Sequence, residues 1–126
     1  MSTKSELKIF ISQPMNGLTE SEIYHNRNNV ILNLSKIIND ENIIFYTILN
    51  SIENYDKNLG PIGYLGKSIQ AMDKADVAIF LEGWDKARGC IIEHKVARDY
   101  HVPQIYIYDN SSKSYIKESE YTEIKE

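Results

Sequence analysis

The sequence predicts an α/β fold, a three-layer α/β/α sandwich around a mainly parallel sheet of four to five strands. Three observations predict it. Short apolar runs alternate with longer segments whose apolar residues recur at three- and four-residue steps, the β-α alternation of a parallel sheet. The central run, Val77-Ala78-Ile79-Phe80-Leu81, is five consecutive apolar residues, as in a strand buried on both faces. The length, 126 residues, suffices for one domain with one core but not for two.

Residues 7–11 read as the first strand and lead into the polar turn 12–17. Thr19 and Glu22 have the spacing of a capping box, which starts a helix near Glu20. Its inner face runs through Ile23, Arg27 (by its stem), Val30, Ile31, Leu34, Ile37 and Ile38, and Asn39-Asp40 ends it. Residues 42–48 are the second strand, which completes a βαβ unit with the usual right-handed crossover. From 49 to 63 the pattern disappears, and a loop of that length is of the functional or mobile kind. A short helix follows, with Leu65, Ile69, Met72 and Ala75 on one face.

After the central strand a helical pattern starts at Gly89 and runs to about Tyr100, with Ile92, Val96 and Tyr100 as its apolar positions. His101-Val102-Pro103 breaks it, and residues 104–108 are the fourth strand. The polar tail 109–126 offers a short edge strand or helix at Tyr115-Ile116. The chain is thus expected to be a single domain over 1–126, with its core at about 7–108.

Composition narrows the partners. A net charge of -4 argues against a nucleic-acid polymer. No apolar run approaches the roughly 20 residues of a membrane helix, and the first residues lack a signal peptide's apolar stretch. The single cysteine, Cys90, excludes an internal disulfide and a multi-cysteine metal site. His94 and His101 have no partners at metal-ligand spacing. A cytoplasmic protein with no metal and no cofactor is expected.

Three polar turns, 12–17, 49–63 and 82–89, follow strand ends. In a parallel sheet these lie along one edge and together line a cleft. The first precedes a helix N-terminus, a position suited to an anion, but has neither P-loop nor dinucleotide GxGxxG spacing. Glu93 stands in the first turns of the helix after the central strand, where the helix dipole and free amides are expected to hold a carboxylate ionised. A nucleophilic carboxylate needs that state. Spacing alone favours a solvated helix carboxylate for Glu93, and Asp85 reads also as an ordinary turn residue. Trp84 is a loop aromatic or a stacking platform for a nucleobase, and Cys90 a small packing residue.

A resemblance adds to these readings. Ile11-Ser12-Gln13-Pro14-Met15-Asn16-Gly17, Tyr64-Leu65-Gly66-Lys67-Ser68, Ala75-Asp76, Gly83-Trp84 and Arg88-Gly89-Cys90-Ile91-Ile92-Glu93 occur in that order. Together, over residues 8–108, they look like the DUF4406 group. That group resembles the nucleoside 2-deoxyribosyltransferase superfamily, which includes 2'-deoxynucleoside 5'-phosphate N-hydrolases. The resemblance implies a flavodoxin-like, Rossmann-like fold and chemistry at the N-glycosidic bond of deoxynucleosides or their 5'-monophosphates, by transfer between bases or by hydrolysis.

The resemblance also makes Glu93 the nucleophile that captures an oxocarbenium-like sugar, as in retaining glycosidases. The turn with Ser12, Gln13, Pro14, Met15 and Gly17 would hold the sugar or its 5' end, with Ser68, Gly83, Trp84, Arg88 and Gly89 also on the substrate. Two positions depart from the family's pattern. Ser68 stands where its enzymes carry an aspartate, and Ala87 where they carry a serine or aspartate. Asp85 is therefore the expected acid-base partner.

The first functional reading is a nucleoside- or nucleotide-binding protein acting at the glycosidic bond through Glu93. The alternative is a non-catalytic nucleotide-binding or sequestering module on the same fold, and a third is a structural protein that inherited the fold. Relatives commonly assemble so that neighbouring subunits complete or cover each site, and nine tyrosines suit such an interface, so a homo-oligomer is expected.

Overall fold

The computed structural model describes residues 5–50, 58–109 and 114–118. Five strands form one sheet: β1 (Glu6–Ser12), β2 (Phe45–Ile48), β3 (Val77–Phe80), β4 (Gln104–Asp109) and β5 (Ser114–Glu118), in spatial order β2-β1-β3-β4-β5. The first four are parallel, and β5 runs antiparallel along β4, so the expected α/β class and mainly parallel sheet are found. The helices are α1 (Glu20–Leu32), α2 (Leu34–Ile38), α3 (Pro61–Met72) and α4 (Arg88–Asp99).

Strand alternation sorts the core into two layers. Leu7, Ile9 and Ile11 of β1, with Val77, Ile79 and Leu81, pack against Val30 of α1 and Leu34, Ile37 and Ile38 of α2. The intervening Phe10, Ala78 and Phe80 pack on the opposite face with Met72 of α3 and Ala97 of α4. Residues 77–81 are almost fully buried, as their unbroken apolar run requires. Asp76 locks β3 to β1: its carboxylate accepts from Lys8 N at 2.8 Å, and its own N–H donates to Lys8 O.

The capping box is present in full, with Thr19 Oγ1 accepting from Glu22 N and Glu22 Oε1 from Thr19 N. The helix it starts is not continuous to Ile38. Asn33 donates its side-chain amide to Asn29 O at 2.6 Å, competing with the backbone ladder, and the chain restarts as α2. The second strand is shorter than 42–48, because Asp40 draws the following residues into a turn through Asn42 N and Ile43 N. The third helix starts earlier than expected, with Pro61 at its first position after an extended Gly60. The loop before it is correspondingly shorter, and residues 51–57 of that expected loop lie outside the described residues.

The inner face of α4 also differs from expectation. Tyr100 is 77% exposed and Ile92 40%, and the buried stripe is Cys90, Glu93 and Ala97. Apolar spacing failed here because a carboxylate occupies an inward position. Tyr115-Ile116 fall within β5, an edge strand rather than a helix, while 119–126 lie outside the described residues. Among the described residues no helix is long and apolar enough to cross a membrane.

Candidate active site

β1 and β3 are neighbours at the middle of the sheet and end together, with Ser12 opposite Phe80. Ser12 follows Phe10 by two residues, so its side chain emerges on the α3–α4 face. On α4, Ala97 fills the core beside Phe10 and Phe80, and Glu93, one turn earlier, meets the end of β1. The Ser12 hydroxyl donates to Glu93 Oε1 at 2.6 Å, with both residues buried. On α3, Met72 is buried, and Ser68, one turn before it, is the carboxylate's second hydroxyl partner. Three elements far apart in sequence thus converge on one carboxylate.

Burial raises the Glu93 carboxyl from its ordinary 4.5 to about 7, against the pull of the Ser12 and Ser68 hydroxyls, which favour the ionised form. This corrects the expectation that the helix N-terminus holds Glu93 ionised. The residue lies in the second turn of α4, where the end effect has faded, and desolvation dominates. Beside it, burial pushes the Cys90 thiol to about 11, so it is a protonated packing group at neutral pH.

A cleft of about 790 Å³ opens over Glu93. One wall is the turn after β1, with Gln13, Pro14, Met15 and Asn16. Another is the first half of α3, with Pro61, Tyr64, Leu65 and Ser68. The third runs from Gly83 through Lys86, Ala87, Arg88 and Gly89 to Cys90. Of the expected substrate residues, Gln13, Pro14, Met15, Ser68, Gly83, Arg88 and Gly89 line this cleft with Glu93, and Ser12 supports Glu93 from the end of β1.

The Gln13 side chain is committed inward: Nε2 donates to Ile23 O at 2.9 Å, and Oε1 accepts from Arg27 Nη1 at 2.8 Å. Arg27, buried and lowered to about 10 by desolvation, stays charged at neutral pH and also donates to Asn50 O. Asn50 in turn pairs through its side-chain amide with both Ile11 N and Ile11 O. This network ties the first wall of the cleft to α1 and the end of β2.

Three expected site residues lie elsewhere. Gly17 shapes the turn, with φ +84 and the Leu18 N to Met15 O bond around it, and does not line the cleft. Gly83, at φ +90, redirects the chain into a single 3₁₀ turn, Trp84–Lys86. That turn sends Trp84 and Asp85 to a neighbouring depression beside β4 and returns Lys86 to the Glu93 cleft. Asp85 is therefore not brought together with Glu93. Among the described residues Glu93 is the one carboxylate lining the cleft.

Asn16, Pro61, Lys86 and Ala87 fall in the turns expected to line a cleft, whereas sequence reasoning missed Tyr64, Leu65 and Cys90 as lining residues. Pro61 held the missing signal. A helix begun there places Pro61, Tyr64, Leu65 and Ser68 on one stripe at three- and four-residue steps. Among the described residues, no three His, Cys, Asp or Glu side chains group as a metal site requires.

Residues 7–106 match a family model described as a domain of unknown function, DUF4406. No curated protein and no solved structure is significantly similar to the chain. The match spans most of the chain and the elements that build the cleft, from β1 through α4 into β4. The protein belongs to the DUF4406 family.

Proposed function

We propose that the cleft binds a nucleoside or its 5'-monophosphate and that Glu93 acts as the nucleophile in cleaving its N-glycosidic bond, by hydrolysis or by transfer to another base. The observation that carries this reading is a buried carboxylate at a cleft beside the carboxyl ends of the central parallel strands, gripped by the hydroxyls of Ser12 at the end of β1 and Ser68 on α3. Heterolysis leaves the bonding pair on the base nitrogen and positive charge on the sugar. A desolvated carboxylate stabilises that charge more than a solvated one does. Glu93 then bonds the anomeric carbon, and water or an acceptor base displaces it, restoring the carboxylate. The departing base takes its proton from water in the open cleft. Ser12 and Ser68 orient the nucleophile, Tyr64 supplies an aromatic surface for the base, and Lys86 and Arg88 suit an anionic 5' group.

The test incubates the protein with deoxynucleosides and their 5'-monophosphates, with and without an acceptor base, and looks by chromatography for free base or exchanged nucleoside. Product from the wild type and none from Glu93→Gln is expected. Equal turnover by Glu93→Gln sinks the assignment. One observation favours a second reading, a binding or sequestering module: Glu93 has no carboxylate companion in the cleft among the described residues. That reading predicts nucleotide-induced thermal stabilisation without turnover. The first reading also has copies of the chain associate, with exposed Ile62, Ile91 and Ile92 supplying apolar area, which sedimentation measures directly.

A further inference from the structure

β2 is the end strand of the sheet, paired only with β1. In a parallel ladder alternate residues bond the neighbouring strand. Phe45 N and Leu49 N donate to Ser5 O and Ile9 O, so Phe45, Thr47 and Leu49 turn their main chain to β1. Tyr46 and Ile48 turn theirs outward, two N–H and two C=O groups without a main-chain partner among the described residues. Such edges are ordinarily guarded by charged side chains or proline. This one has neither: residues 42–50 hold no charged residue and no proline, and Ile44 and Phe45 are 75% and 51% exposed. The opposite edge strand, β5, carries Lys117 and Glu118.

The edge is complementary to itself. Set antiparallel beside a second copy, with Tyr46 opposite the copy's Ile48 and Ile48 opposite its Tyr46, it uses all of these groups in four main-chain hydrogen bonds. Shifting the register by two residues opposes Tyr46 or Ile48 to itself and halves that number. The side chains agree with the unshifted register. Thr47 meets its own counterpart at the two-fold axis, and its hydroxyl already donates to Glu6 Oε2 at 2.5 Å, so no donor is stranded. Tyr46 lies beside the copy's Ile48, an aromatic against a β-branched chain, and Phe45 lies beside its Leu49. No like charges oppose one another along the pairing. The two-fold also closes, because pairing uses both open β2 edges and leaves the two β5 strands outermost. We propose that β2 is a self-association edge, through which two copies of this chain join five strands from each into one continuous sheet. This rests on the sheet and not on the role given to Glu93, and it is separate from the helix surface of Ile62, Ile91 and Ile92.

Sedimentation of the full chain across a concentration series is expected to show a species of twice 14.6 kDa. Amide hydrogen exchange reads the ladder itself and needs no variant. The Tyr46 and Ile48 N–H groups should slow about tenfold or more where the dimer predominates, while those of Phe45 and Leu49, already bonded to β1, change less. Phe45→Lys, at an exposed position, and Leu49→Glu, at a half-buried one, each lose the dimer. Mixed in equal amounts they regain it, since this register sets the new ammonium against the new carboxylate and leaves the other Phe45–Leu49 pair intact. A monomer at every concentration, a dimer that neither substitution weakens, no recovery in the mixture, or exchange at Tyr46 and Ile48 that ignores concentration overturns the proposal.

Discussion

The hydroxyl of Ser12 donates to Oε1 of Glu93 at 2.6 Å across 81 positions of the chain, joining the end of β1 to the second turn of α4. The bond favours the ionised carboxylate in a place where burial opposes it. Ser12→Ala removes the donor with little change of volume. The Glu93 carboxyl then rises above about 7, because the charged form loses more than the neutral one. The expected result is an upward shift of the acidic limb of the pH–rate profile and a loss of about tenfold in kcat/KM at neutral pH. Rate profiles of the two proteins measure both.

With Glu93 as the proposed nucleophile, kcat/KM is expected to rise with pH through about 7 and then level. A profile of kcat/KM against pH in the wild type checks this. A limb that falls through the same value would instead make Glu93 a proton donor.

Stability has the opposite slope. The Glu93 carboxyl titrates near 4.5 in the unfolded chain and near 7 in the folded protein. Between those values the folded protein keeps a proton that the unfolded chain has released, so stability falls as pH rises and is flat above. The loss is of order 3 kcal/mol. Glu93→Gln abolishes it while retaining Oε1 as an acceptor for Ser12. The variant should resist denaturant better than the wild type at pH 8 and match it near pH 4.5. Stability gained together with turnover lost in this one variant would mark a site kept for function.

Arg27→Met leaves Gln13 Oε1 and Asn50 O without their buried donor. Removing the desolvated guanidinium recovers part of the loss, and a net destabilisation of about 2 kcal/mol is expected. Arg27→Lys should restore some of it, since an ammonium reaches fewer acceptors than a guanidinium fork. Urea denaturation of the three proteins gives the values.

Cys90 is buried, with its thiol held near 11. A thiol-specific reagent at neutral pH should leave the native protein unlabelled and modify one thiol once denaturant is added. Rapid labelling of the native protein would show that α4 opens on the time scale of the reaction.

The sequence by itself determined the features that depend on short stretches of chain. Five apolar residues in a row demanded a strand covered on both faces, and Val77–Phe80 are one, with Leu81 buried just beyond it. Thr19 and Glu22 demanded a helix start, and their reciprocal bonds are present. The order of turns around Arg88-Gly89 placed Glu93 near the start of the helix after the central strand. Only the tertiary structure decided what surrounds that carboxylate. Apolar periodicity pointed to Ile92 and Tyr100 as the inner face of α4, because spacing counts hydrophobic side chains and cannot register a buried acid. Asp85 lies eight positions from Glu93 in sequence, yet the positive φ of Gly83 turns it into another depression. Ser12 and Ser68 lie far away along the chain, yet strand alternation and helix packing bring them to Glu93. The proton on Glu93 was likewise beyond the sequence. It depends on water excluded jointly by β1, α3 and α4, and desolvation exists only once separate elements have packed.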